Sequence, residues 1–146
     1  MTCTIDASVF VALARASDVH HVASLEFLRQ VEAHAEDIYC PTLVLAECSA
    51  AIARQTDSSI LAERIVSLVE NFPNLHLVSL DISIARWAAQ IAQTRRLRGA
   101  DCVYVAVAEA FNATLVTWDG EMLQRASDVV PTFTPPGWME QLRAEE

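Results

Sequence analysis

Apolar residues along this chain change their rhythm repeatedly, from short continuous runs to helical stripes. Residues 2–6 read as a short buried strand, and 7–16 follow as a helix that Asp6 or Ser8 can cap. Across 20–35, Val22, Leu25, Leu28 and Val31 recur with helical spacing. Residues 38–40 make a brief strand stopped by Pro41. Thr42 can cap a helix over 43–55, and Asp57 can cap the next, whose Ile60, Leu61, Ile65, Leu68 and Val69 form one stripe. Pro73 breaks the chain, and 75–80 is a strand. Asp81 opens a helix through Ile84, Trp87, Ala88, Ile91 and Ala92, which ends in Arg95-Arg96-Leu97-Arg98-Gly99. A helix over 100–111, a strand over 113–117, a short helix over 121–126 and a last strand over 129–133 complete the pattern. Residues 135–146 read as a tail whose Trp138, Met139 and Leu142 pack back.

Strands alternating with helices predict an α/β fold, a mostly parallel sheet flanked by helices on both faces. Ligands in such sheets bind at the carboxyl ends of the strands, where the strand order reverses. The 146 residues suggest one domain, 1–146, with a real core. No repeat, low-complexity tract or linker interrupts it.

Composition narrows the class. The chain is 53% hydrophobic with only three Gly and five Pro, which argues against disorder. No apolar run reaches the roughly 18 residues of a membrane span, and the N-terminus lacks the pattern of a secretion signal. Cys3, Cys40, Cys48 and Cys102 show no CxxC spacing and read as reduced core residues of a cytoplasmic protein. The net charge of −9 disfavours binding a polyanion through the whole surface. It permits a local basic patch, a basic partner, or cations held in an acidic site. Every basic residue other than the histidines is Arg; the absence of Lys excludes any mechanism built on a catalytic lysine.

Four acids stand where a core would reject a charge. Asp6 ends the run Thr4-Ile5, Glu47 interrupts 43–46, Asp101 opens 102–108, and Asp119 follows 115–118. A carboxylate beside a core costs several kcal/mol (order of magnitude) unless paired or bound to a metal. Singly, Asp6, Asp101 and Asp119 can be helix caps or first-turn acids, as Asp81 is read to be. Glu47 is harder to dismiss: its helical neighbours Leu43, Val44, Ala50 and Ala51 offer no ion pair. Converged, the four would form a hard oxygen cage suited to Mg²⁺ or Mn²⁺. Ser8 and Thr117 flank them and can bond a carboxylate or simply satisfy backbone. Arg95, Arg96 and Arg98 form the one dense basic cluster, either a solvated helix end or a set of phosphate contacts. The four histidines have no metal-ligand spacing, and no Gly-rich phosphate loop exists.

The segments Thr4-Ile5-Asp6-Ala7-Ser8, Pro41-Thr42-Leu43-Val44-Leu45-Ala46-Glu47, Leu97-Arg98-Gly99-Ala100-Asp101-Cys102-Val103-Tyr104-Val105-Ala106 and Leu115-Val116-Thr117-Trp118-Asp119 together resemble the PIN domain, most closely the VapC-type toxins of prokaryotic toxin–antitoxin pairs. Each motif is weak alone; four in order, over almost the whole chain, are specific. The resemblance implies a three-layer fold with a parallel sheet of order 3-2-1-4-5, which sets the first and fourth strands side by side with Asp6 and Asp119 at their ends. It also implies metal-dependent ribonuclease activity, homodimerisation and inhibition by a small cognate antitoxin. Asp6, Glu47, Asp101 and Asp119 would be the catalytic and metal-holding residues. The contrasting expectation is a catalytically silent module that binds RNA or protein. An aspartyl-phosphate phosphatase would want a second Asp where Ser8 stands, and a phospho-receiver would want a lysine.

Overall fold

The structure, a computed structural model, describes residues 1–145. In chain order its elements are β1 (Cys3–Ile5), α1 (Ala7–Ala14), α2 (His21–Ala33), β2 (Ile38–Pro41), α3 (Leu43–Thr56), α4 (Ser59–Glu70), β3 (Leu75–Val78), α5 (Ile82–Arg95), α6 (Gly99–Ala110), β4 (Thr114–Val116), α7 (Gly120–Arg125), β5 (Thr132–Phe133) and α8 (Pro135–Glu145). The five strands form one all-parallel sheet of order β3-β2-β1-β4-β5, the arrangement the resemblance implied. β1 pairs with β4 in the register Cys3↔Thr114, Thr4↔Leu115, Ile5↔Val116. Every residue of these two central strands is buried, as expected of a parallel sheet covered on both faces. The edge strand β3 is only half covered.

The helices flank the sheet in two groups. Helices α1 to α4 pack among themselves, while α6 lies across β2, β1 and β4 with α5 against it. Residues Asp101 to Ala108 of α6 are all buried, so this stretch carries no polar stripe, and Asp101, the one acid within it, stands out for that reason. No helix among the described residues is long and apolar enough to cross a membrane.

Several boundaries differ from the sequence reading, each for a local reason. The strand expected over 129–133 shortens to Thr132–Phe133, because Val129 and Val130 donate to the Ala126 carbonyl and extend the turn after α7. The strands expected over 75–80 and 113–117 stop at Val78 and Val116. Asp57 does not cap α4. It takes the left-handed conformation (φ 53°) that ends α3, and Ser58 caps α4 by accepting from the Leu61 N–H at 3.1 Å. Asp tolerates that conformation better than most residues. Thr42 sits at the start of α3 with helical angles and no side-chain capping bond. The tail is a helix: Thr134 Oγ1 accepts from Gly137 N–H at 3.2 Å and the prolines fill its first turn. As expected, Trp138, Met139 and Leu142 are buried. Trp138 meets Phe27 of α2 edge-on, centroids 5.1 Å apart, a geometry that adds about 1 kcal/mol to the burial itself.

The turn between α5 and α6 decides where the arginines go. Arg96 ends α5 in the left-handed conformation (φ 55°), which costs a non-glycine residue about 1–2 kcal/mol. Its N–H donates to the Ala92 carbonyl at 3.0 Å, and its own carbonyl accepts from Arg125 at 2.9 Å. The reversal sends Leu97 into the core and leaves Arg98 extended before α6.

Candidate active site

A cleft of about 640 Å³ has Asp6, Glu47, Asp101 and Asp119 in its lining, four carboxylates from four separate segments. Asp6 and Asp119 come from the carboxyl ends of the adjacent strands β1 and β4. Glu47 comes from the second turn of α3 and Asp101 from the first turn of α6. Asp6 stays in the sheet ladder: its N–H donates to the Val116 carbonyl at 3.0 Å.

The capping alternative separates these acids. Asp6 stands at the start of α1 but makes no capping bond. Its Oδ2 instead accepts from Ser8 Oγ at 2.7 Å and Thr117 Oγ1 at 2.8 Å. Both hydroxyls then accept backbone N–H groups, Ser8 from Trp118 at 3.1 Å and Thr117 from Asp119 at 3.0 Å. Asp6 is thereby tied to the turn that carries Asp119. Both hydroxyls reach the same carboxylate oxygen, Oδ2. Asp119 does cap: Oδ1 accepts from Met122 N–H at 2.9 Å, while Oδ2 accepts from Arg98 Nη2 at 3.2 Å. Glu47 accepts from Tyr104 Oη at 2.6 Å. Tyr104 is fully buried one turn after Asp101, so α6 presents both side chains on one face.

Arg98 spans two of the acids, donating from Nε to Asp101 Oδ2 at 3.1 Å and from Nη2 to Asp119. Arg95 and Arg96 lie elsewhere. Arg95 pairs with Asp128, and both line a separate groove with Gln124 and Arg125. Of the three clustered arginines, Arg98 alone lines the carboxylate cleft.

Electrostatics follow from this packing. Burial holds the Asp6 carboxyl above the ordinary aspartate value, against the lowering effect of its two hydroxyl donors; repulsion from Asp119 adds to the rise. Burial likewise raises Glu47, the Tyr104 bond opposes it, and the charges of Asp6 and Asp101 add to it. For Asp101, burial raises the value and the bond and charge of Arg98 oppose it. Like-charge repulsion, the cause anticipated from four converging acids, is real here but secondary to desolvation.

The donor set suits a hard divalent cation: carboxylate oxygens, with no sulfur or imidazole on the four positions. Among the described residues, no three His, Cys, Asp or Glu side chains are gathered closely enough, as placed, to hold a metal ion. The Arg98 guanidinium bonds both Asp101 and Asp119, and the Tyr104 phenol bonds Glu47. Arg98 supplies positive charge where two of the carboxylates face each other.

Tyr104, Trp118 and His20 were not singled out for the cleft by the sequence. Tyr104 was accessible to reasoning, since it lies at i+3 from Asp101. His20 and Trp118 line the cleft as a stacked pair, centroids 3.8 Å apart and planes 11° from parallel, a contact between distant segments that no local pattern encodes.

Comparisons with known proteins agree with this architecture. The VapBC2 structure of Rickettsia felis, bound to a promoter DNA fragment, has a TM-score of 0.71 at 14% identity, covering 92% of this chain and 98% of that one. FitAcB of Neisseria gonorrhoeae has a TM-score of 0.69 at 22% identity, with 92% and 98% covered. VapC20 of Mycobacterium tuberculosis, a sarcin–ricin loop cleaving toxin, has a TM-score of 0.68 at 16% identity, with 82% and 91% covered. No curated protein sequence matches the chain. The PIN domain family model matches residues 3–128, and with that match over most of its length the chain belongs to the PIN domain family.

Proposed function

We propose that this chain is a divalent-metal-dependent endoribonuclease of VapC type, the toxin of a toxin–antitoxin pair, with residues 1–146 as one domain. The observation that carries the reading is the convergence of Asp6, Glu47, Asp101 and Asp119 on one cleft at the β1–β4 edge. These four would hold one or two Mg²⁺ or Mn²⁺ ions. Bound there, such an ion would supply Lewis-acid chemistry, lowering the pKa of water and offsetting phosphoryl charge. The chain's own residues do the positioning. Ser8 and Thr117 fix the Asp6 carboxylate, and Tyr104 fixes Glu47. Arg98 is 71% exposed, so it can release Asp101 and Asp119 and take a phosphate oxygen of the substrate. Arg95 and Arg96, facing another groove, would touch only flanking phosphates.

Cleavage of single-stranded RNA by the purified chain, free of antitoxin, tests this. Cleavage should require Mn²⁺ or Mg²⁺, stop in EDTA and be lost in Asp6→Asn. RNA binding with no cleavage under any divalent ion would favour the silent-module reading.

Partners follow from the surface. In α4 and α5, Ala62, Ile65, Val69, Ala88 and Ile91 face the core, yet Ile60 and Ile82 remain 65% and 68% exposed. Those positions fit a homodimer contact, in a cytoplasmic protein whose four cysteines are free and buried. A small antitoxin offering an Arg or Lys to the acidic cleft fits the net charge of −9. Sedimentation at micromolar concentration should show a dimer, and added product of an adjacent antitoxin gene should increase the mass.

A further inference from the structure

We propose that His20, stacked on Trp118, is the platform for one unpaired nucleobase of the RNA beside the carboxylate cleft, an assignment that rests on the ribonuclease reading above. The pair is built as a platform. Trp118 is held at its ring and at its backbone: the indole Nε1 donates to Ser24 Oγ at 2.9 Å, and the backbone N–H donates to Ser8 Oγ at 3.1 Å. Ser24 is fully buried, so the indole's anchor lies inside the fold. Ser8 is also a donor to Asp6, which ties the ring's position to the reaction centre through a single hydroxyl. On the other side, the N–H of His20 donates to Asp18 Oδ1 at 2.8 Å, holding the turn before α2. The imidazole then lies 3.8 Å from the indole and 11° from parallel. Both rings are half-buried rather than enclosed, and both line the cleft with the four acids, Arg98 and Arg54.

Energetics give this pair its purpose. With a net charge of −9, the chain lacks the long-range attraction to phosphate that supplies most nonspecific nucleic-acid affinity. Short-range contacts must carry more of the binding, and single-stranded RNA offers its bases to stacking on aromatic and histidine rings. A base laid on the outer face of His20 would extend the stack by one ring. Its own phosphate would then lie toward Arg98 and the carboxylates, which sets the register of the strand. Stacking reads no base edge, so the subsite fixes position and tolerates different bases.

The test is binding, measured in the Asp6→Asn background with Mg²⁺ present, using fluorescence anisotropy of a labelled single-stranded oligoribonucleotide. His20→Ala should weaken binding by about 5- to 150-fold, the range for losing one base–aromatic stack, and His20→Phe should retain it. An abasic residue moved along the oligonucleotide should cost the parent protein the same factor at one position only, and at that position His20→Ala should add nothing further. The abasic series needs no change at His20, so it decides the matter even if His20→Ala misfolds. Equal binding by His20→Ala and its parent, or equal weakening by His20→Phe, overturns the platform. If the wild-type chain cleaves RNA while either of those results holds, the platform alone is wrong. If the wild-type chain neither binds nor cleaves RNA, the ribonuclease reading fails and takes the platform with it.

Discussion

Asp6→Asn removes one negative charge from the cleft while keeping the side chain's shape. The asparagine Oδ1 can occupy the place of the aspartate Oδ2 and accept from Ser8 and Thr117, which now donate at 2.7 and 2.8 Å. Its NH₂ would then face the cleft. The Asp6 carboxyl is held above its ordinary value of 3.8 chiefly by burial, even after those two donors have lowered it. The neutral form is therefore the one the fold prefers. For a group raised in this way, the stability it contributes is fully present below the unfolded value and is lost as pH rises through the folded value. Asparagine is neutral throughout and loses nothing. The variant should thus match the wild type at low pH and become the more stable of the two as pH rises. The gap should open at up to about 1.4 kcal/mol per pH unit and level off above the folded value. Removing the charge also relieves Glu47 and Asp101, both of which Asp6 pushes upward.

The assay is urea unfolding in EDTA, followed by tryptophan fluorescence, from weakly acidic to neutral pH. Added Mn²⁺ should reverse the order, because ligand binding to the native state stabilises the wild type by more than a variant lacking one carboxylate. An Asp6→Asn protein less stable than the wild type at neutral pH in EDTA, with a gap that does not change with pH, would refute the argument that Asp6 is a desolvated carboxylate under strain.

Three further outcomes are expected. Asp81→Ala removes the cap on α5, where Oδ1 accepts from Ile84 N–H at 2.9 Å, and should cost roughly 0.5–2 kcal/mol in thermal or urea unfolding while leaving RNA cleavage intact. Tyr104→Phe should cost about 1.5 kcal/mol by losing the bond to Glu47, and a titration of Mn²⁺ should show weaker binding because Glu47 is no longer held. Arg98→Gln should weaken RNA binding evenly across sequences and lower the slope of log affinity against log salt by about 0.7, the share of one phosphate contact on a single strand; Arg95→Gln, at a residue already paired with Asp128, should leave that slope nearly unchanged.

The legible parts of the fold were those where one local rule dominates. β1, β4 and α6 are continuous apolar runs because they are buried on all sides, and the acids at their ends are conspicuous for the same reason. Helix α8 was illegible because Pro135-Pro136-Gly137 reads as a breaker, although a first helical turn accepts proline without losing a hydrogen bond. Val129 and Val130 looked like strand because burial in a turn and burial in a strand leave the same mark on a sequence. Asp57 and Ser58 are both good capping residues, and only the left-handed backbone at Asp57 assigns the cap to its neighbour.

The arginine cluster marks where such reasoning stops. In sequence, Arg95, Arg96 and Arg98 are one basic patch with one meaning. In the fold, the reversal at Arg96 separates their roles. Arg95 stays on the helix and pairs with Asp128, Arg96 carries the turn, and Arg98 comes out beside Asp101 and Asp119. No propensity distinguishes them, since a left-handed arginine is unfavourable by itself and exists because the Ala92 and Arg125 bonds and the burial of Leu97 outweigh it. The acids could be found one at a time because each violates a local expectation. The cation among them could not, because its position depends on a backbone conformation that the sequence opposes and the tertiary structure imposes.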